Sequence, residues 1–149
     1  MGYITDLRKK IGHNTIIMPC ACLLLEDGKG NLLLQKRKDD GKWSNHGGAI
    51  EVDESVEDAL KREVKEELNI ELVEFSLFGI YSGANYHHVY PNGDEVSAID
   101  IVFLCSKYSG EISIQKDEVV EVKWFNKNNI PSNLSNNAKQ SIMDYFNVK

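Results

Sequence analysis

The sequence predicts an α/β fold, a mixed β-sheet held between helical layers, in one domain spanning residues 1–149. Three observations carry that reading. Strand-like apolar runs stand on both sides of one amphipathic helix, bounded by Ser55 and Asn69. One run, Ala98 to Ser106 (AIDIVFLCS), is apolar at almost every position, as in a central strand covered on both faces. A second amphipathic helix closes the sequence, so helices are available for two faces of a sheet. At 149 residues there is enough chain for one sizeable core, and the 42% hydrophobic and 27% charged content is ordinary for a globular protein.

Taken in order, Ile4 to Ile11 (ITDLRKKI) reads as a short helix, with Thr5 as its cap and Gly12 as its stop. Its Arg8-Lys9-Lys10 cluster reads as a solvated face. Ile16 to Leu25 is a strand, Asp27 to Asn31 (DGKGN) a hairpin turn, and Leu32 to Arg37 the return strand. Lys36 and Arg37 alternate at its end, so they face opposite sides. Lys38 to His46 reads as a polar loop, with Trp43 either packed beneath it or stacked on a base. Leu72 to Tyr81 is the next strand. The connection after it (SGANYHHVYPNGDEV) carries a Pro-Asn-Gly-Asp turn at 91–94 and is rich in aromatic and histidine residues. Tyr108 to Ile114 and Val119 to Phe125 are expected as further strands, the second with Val120, Val122 and Trp124 on one face and Trp124 in the core. After Pro131 and Ser135, a final helix runs from about Asn136 to Phe146, with Ile142, Tyr145 and Phe146 set to dock on the sheet.

The organising stretch is Gly47 to Ile70 (GGAIEVDESVEDALKREVKEELNI): paired glycines, a loop, then the central helix. Ser55 can accept from an orphan N–H of the first turn, and Asp58 resembles the acidic partner of a capping box. Asn69 suits a left-handed stop. At about 100° per residue, Glu67 falls about 40° from Glu63 and Glu66 about 60° to the other side, while Lys61 and Lys65 point away. Like charges so placed repel, and Glu66 and Glu67 also sit near the negative end of the helix dipole. A hard divalent cation takes carboxylate oxygens as ligands and would reverse that sign. The competing reading is a solvated acidic face.

Fixed offsets weigh against the competing reading. From Gly48, five residues lead to Glu54, seven more to Arg62-Glu63, then come Val64, one residue, Glu66-Glu67, one residue, Asn69 and Ile70. This run resembles the Nudix box, with Asn69 where the family usually has glycine and His46 where it often has proline before the glycine pair. Asparagine tolerates the left-handed backbone, so the turn is expected to survive.

The resemblance implies a Nudix-type α/β/α sandwich with the box as loop–helix–loop. It implies hydrolysis of a pyrophosphate link in a nucleoside diphosphate joined to another group. It also implies magnesium, with manganese as the alternative ion, on Glu63, Glu66, Glu67 and the backbone carbonyl of Gly47. Such ions screen a polyphosphate, hold it in line and lower the pKa of bound water. Arg62 is expected to orient a glutamate, Glu54 or Glu63. The water-activating base is one of the box carboxylates, with Glu66 and Glu67 foremost, or an external acid: Glu118 first, Glu121 second. Arg37 is expected on a substrate phosphate. Trp43 and Tyr86 are expected on the nucleoside, with Tyr81 to Tyr90 as one wall of its pocket, because a tyrosine can stack on a base and still offer a hydroxyl. A nucleoside triphosphate or oxidised deoxynucleotide heads the substrates, followed by dinucleoside polyphosphates and nucleotide sugars. A non-catalytic nucleotide-sensing module is the alternative of another class, and the full set of box carboxylates stands against it.

A net charge of −6 argues against long nucleic acid as a partner. No apolar run reaches membrane-spanning length, and no charged segment precedes an apolar one at the N-terminus. The expectation is a cytoplasmic protein acting on a small nucleotide, away from membranes, with a homodimer compatible. Cys20, Cys22 and Cys105 fall in strand-like runs without zinc spacing and read as buried free thiols.

Overall fold

Strand β1 (Ile16–Glu26) is the axis of the sheet, and the way its neighbours leave it makes the site. The computed structural model describes residues 2–147. On one side β7 (Glu95–Ser109) runs parallel to β1 from Ile16↔Val96 to Leu25↔Cys105. On the other side β2 (Leu32–Arg37) pairs only at Leu25↔Leu33 and Glu26↔Leu32, then departs. Strand β4 (His46–Ala49) takes the vacated edge, from Leu23↔His46 to Cys20↔Ala49. Beyond the fork, β2 lies between β3 (Trp43–Ser44) and β8 (Val119–Phe125). Strands β5 (Glu71–Tyr81) and β6 (His87–Val89) pair antiparallel with β7. The parallel β1–β7 pair among antiparallel ones gives the expected mixed sheet.

Alternation along β1 fills two cores. Ala21, Leu23 and Leu25 face helix α2 (Val56–Leu68), whose Ala59, Leu60, Val64 and Leu68 are fully buried. Cys20, Cys22 and Leu24 face helix α3 (Asn136–Phe146) across Val102, Leu34 and Ile142. Each fully buried leucine contributes about 1.5–3 kcal/mol, which makes these stripes the main fixings of both helices. The free cysteines lie in these cores, as expected. Helix α1 (Tyr3–Ile11) buries no residue; the Arg8 guanidinium ties it down by donating to the carbonyls of Gly12, Asn14 and Glu95.

The structure corrects several expectations. Residues 38–46 are not all loop: β3 and the start of β4 lie there, formed by pairing with strands distant in sequence. Tyr108 to Ile114 is not a separate strand. Strand β7 runs on to Ser109, and the following segment docks on the end of α2, where Ser113 and Gln115 N–H groups donate to the Leu68 and Glu67 carbonyls. Helix α1 is capped at Gly2 with no side-chain bond, so Thr5 is not its cap. Val122 and Trp124 pack half-buried against the α2-side core, whereas Val120 is exposed.

Candidate active site

The fork between β1 and β2 opens a cavity of about 710 Å³. Its walls are the glycines of β4, the inward carboxylates of α2, the ends of β2 and β8, and the start of α3. Local signals set the box in place. Ser55 Oγ accepts from the Asp58 N–H at 3.1 Å, and Asn69 ends α2 in the left-handed region at φ 59° and ψ 32°. Gly47 has φ 132°, and a Cβ there would run into the Ala21 carbonyl of β1. A Cβ on Gly48 would come within 2.7 Å of the Glu63 carboxylate. The two glycines therefore let β4 lie against β1 and let Glu63 lie against β4.

Glu67 is buried at 7% exposure, and its Oε2 accepts from the Gly47 N–H at 3.0 Å. Burial pushes its carboxyl up to about 8, with Glu63 and Glu118 adding to the rise. Burial also raises Glu63, against the pull of Arg62. Arg62 gathers the box. It grips Glu54 with Nε and Nη2 at 2.8 and 2.9 Å, donates to Glu63 Oε1 at 2.8 Å, and donates to the Ala49 carbonyl at 3.1 Å. That grip holds Glu54 below the usual carboxylate range. The expected orienting role thus has both glutamates as its objects.

The structure divides the expected site residues. Glu63, Glu67, Gly47, Arg37 and Glu118 all line the cavity. Glu66 does not: it is exposed, 3.7 Å from Arg62. A bulge between Lys36 and Arg37 sets the end of β2, and Asp39 clasps the Arg37 guanidinium through Nε and Nη2 at 3.1 and 3.0 Å. Glu118 accepts the Lys38 N–H with its backbone carbonyl, which brings it beside Arg37, while Glu121 stands outside the lining, opposite Lys36. Trp43 is not at the cavity; it is buried edge-on against Phe125 at 4.9 Å. Tyr86 is not there either. It lies in a single 3-10 turn (Ala84–Tyr86), buried near Tyr81, with no partner for its hydroxyl among the described residues.

The donor set suits a hard divalent cation: carboxylate oxygens facing a cavity, behind a glycine pair that leaves room for them. Glu67 accepts one backbone N–H, so much of its acceptor capacity is free. Among the described residues no three His, Cys, Asp or Glu side chains already stand as one ion-holding group; Glu63 is turned to Arg62, and Glu66 lies at the outer edge of the same guanidinium.

Several cavity residues escape a reading of the sequence. Asp100, 5% exposed, lies on the α3 face of β7 and is pushed up to about 6 by burial. A lone carboxylate inside AIDIVFLCS was the available signal. His46 is fully buried, with Nε2 bonded to the Leu33 carbonyl at 2.8 Å and no partner for Nδ1 among the described residues; burial lowers its pKa to about 4, so the ring is neutral. His88 and Tyr90, edge-to-face at 4.4 Å, supply the aromatic wall in place of Tyr86.

Comparison with known proteins agrees with this architecture. The NUDIX domain family matches residues 17–146. The ADP-ribose pyrophosphatase of Methanocaldococcus jannaschii is 35% identical over 121 residues, covering 79% of this chain and 67% of its own. The NAD-capped RNA hydrolase NudC of Vibrio vulnificus is 31% identical over 120 residues, which are 80% of this chain and 42% of that protein. The chain thus spans about two fifths of the length of the NudC relatives it matches. Among solved structures, a MutT NUDIX hydrolase from Burkholderia pseudomallei superposes with a TM-score of 0.73 at 26% identity, over 85% of this chain and 96% of that one. From the start of β1 to the end of α3, with the loop–helix–loop at its centre, this chain belongs to the NUDIX domain family.

Proposed function

We propose that this hydrolase cleaves the pyrophosphate link of a nucleoside diphosphate joined to a sugar-type group, with ADP-ribose and NAD as first representatives. The carrying observation is the buried Glu67 carboxylate beside the half-buried Glu63, both facing a large polar cavity with Arg37 and Glu118 also in its wall. The names of the relatives favour this class over the triphosphate that the sequence put first: ADP-ribose pyrophosphatase, and NAD-capped RNA hydrolase NudC. The likeness to a MutT hydrolase keeps a nucleoside triphosphate as the second reading.

Glu63, Glu67, the Gly47 carbonyl and, from the rim, Glu66 are the groups that would hold a divalent cation. When bound, that cation supplies charge screening for the diphosphate and acidification of a bound water. Arg62 fixes Glu54 and Glu63 and touches no substrate. Arg37 offers its remaining N–H groups to a phosphate oxygen. Glu118, beside Arg37 and in the cavity wall, takes the proton of the attacking water. The test is a panel of ADP-ribose, NAD, deoxynucleoside triphosphates, an oxidised deoxynucleoside triphosphate and a dinucleoside tetraphosphate, with magnesium or with chelator. AMP release from ADP-ribose or NAD, abolished by chelator, is expected. Turnover of none, or turnover that survives complete metal removal, overturns the proposal.

A further inference from the structure

Asp100 breaks the apolar alternation of β7 and is more than nine-tenths buried. Among the described residues the group set to support its charge is the Cys22 thiol, a weak donor. A buried carboxylate with so little support is costly unless something else brings donors to it. Its register partner on β1 is Cys20, so it looks out from the α3 face of the sheet, into the cavity alongside Cys20, Cys22 and Asn45. Arg37, Glu63, Glu67 and Glu118 line the same cavity. Tyr90 belongs to both groups, lying within electrostatic reach of Arg37 and of Asp100.

We propose that Asp100 reads the nucleobase. The phosphates lie toward Arg37 and the α2 carboxylates, the base lies against Tyr90, and Asp100 accepts a hydrogen bond from an exocyclic amino group such as adenine N6. A carboxylate has no donor. An oxo group in the same place, as in hypoxanthine, would set two acceptors face to face. The site therefore selects amino over oxo. This rests on the nucleotide reading of the cavity, but the test below does not need turnover.

The experiment is equilibrium binding of AMP and IMP to the full chain, wild type and Asp100→Asn, at a pH above the Asp100 range, with ADP-ribose turnover assayed on the same samples. The wild type is expected to prefer AMP by about tenfold or more, the scale of one hydrogen bond to a charged group. In Asp100→Asn the ratio is expected to collapse to within about threefold, chiefly through tighter IMP binding, because a carboxamide can rotate to meet either group. Equal wild-type affinities, or a preference that survives the substitution, overturn the inference. The wild-type ratio decides alone if the variant does not fold. Selective binding without turnover would overturn the proposed reaction and leave Asp100 as the base reader. Turnover without selectivity would do the reverse.

Discussion

At the scale of single residues, Gly47 and Gly48 are adjacent and are glycine for different reasons, so substitution separates them. A methyl on Gly47 meets the backbone of β1 and sits at a positive φ, and neither can yield. Gly47→Ala is expected to cost about 3 kcal/mol or more in denaturant unfolding. A methyl on Gly48 meets the far end of the Glu63 side chain, which can move. Gly48→Ala is therefore expected to cost less than about 1 kcal/mol of stability. Its effect falls on function, because Glu63 is displaced: magnesium affinity and turnover drop by about tenfold or more. Equal stability losses, or Gly48→Ala with unchanged metal affinity by calorimetry, would contradict this division. Asn69 already occupies the left-handed region, so Asn69→Gly is expected to shift stability by no more than about 1 kcal/mol. A large fall in melting temperature would reveal a side-chain role for Asn69 that its backbone angles do not show.

Among elements, α2 was almost wholly legible in the sequence, because its caps, its period and its carboxylate offsets are local. The short strands were not. His46–Ala49 contains two glycines, residues depleted in strands, and becomes β4 only because β2 vacates the edge of β1. That same fork makes the cavity, so the site's outline was as hidden as the strand. The aromatic connection shows the error one residue at a time. Of the three tyrosines and two histidines expected to form a wall, only His88 and Tyr90 line the cavity, and choosing the middle tyrosine ignored pairing. His87–Val89 is β6, His88 pairs with Val96, and the alternation brings His88 and Tyr90 to the cavity while Tyr86 closes the core near Tyr81. Hence a prediction opposite to the one the sequence suggests. Tyr86→Phe should leave the Michaelis constant for ADP-ribose unchanged. It should also hold or raise the melting temperature, because the buried hydroxyl it removes has no partner among the described residues. A several-fold rise in the Michaelis constant would return Tyr86 to the site.

For the whole molecule, the fold concentrates acid where it also withholds water, and this couples stability, protons and metal. Glu67 is raised from 4.5 to about 8 on folding, mainly by burial. A group raised in the folded state contributes stability that is complete below its unfolded value and is lost as pH climbs through the folded one. Glu63 and Asp100 are raised as well and act in the same direction, with Asp100 finished by about 6. His46 opposes them, since its lowering from 6.5 to about 4 makes stability rise with pH, but only across that interval. Above 6.5 and up to about 8 His46 and Asp100 no longer change, and the fall is carried by Glu67, with Glu63 acting in the same direction. The metal-free protein is expected to lose melting temperature steadily across this window. On the proposed metal assignment magnesium would bind the ionised carboxylates, so its apparent affinity should strengthen over the same window and flatten the fall. Glu67→Gln removes the titrating group. In chelator it should melt higher than wild type near pH 8 with little slope. It should also lose about two orders of magnitude or more of turnover, because the proposed metal ligand and its charge are gone. Thermal melts of both proteins, with chelator and with magnesium, decide it. A wild-type melting temperature that rises with pH in chelator, or an equal fall in Glu67→Gln, would remove Glu67 as the proton-linked residue at the centre of the site.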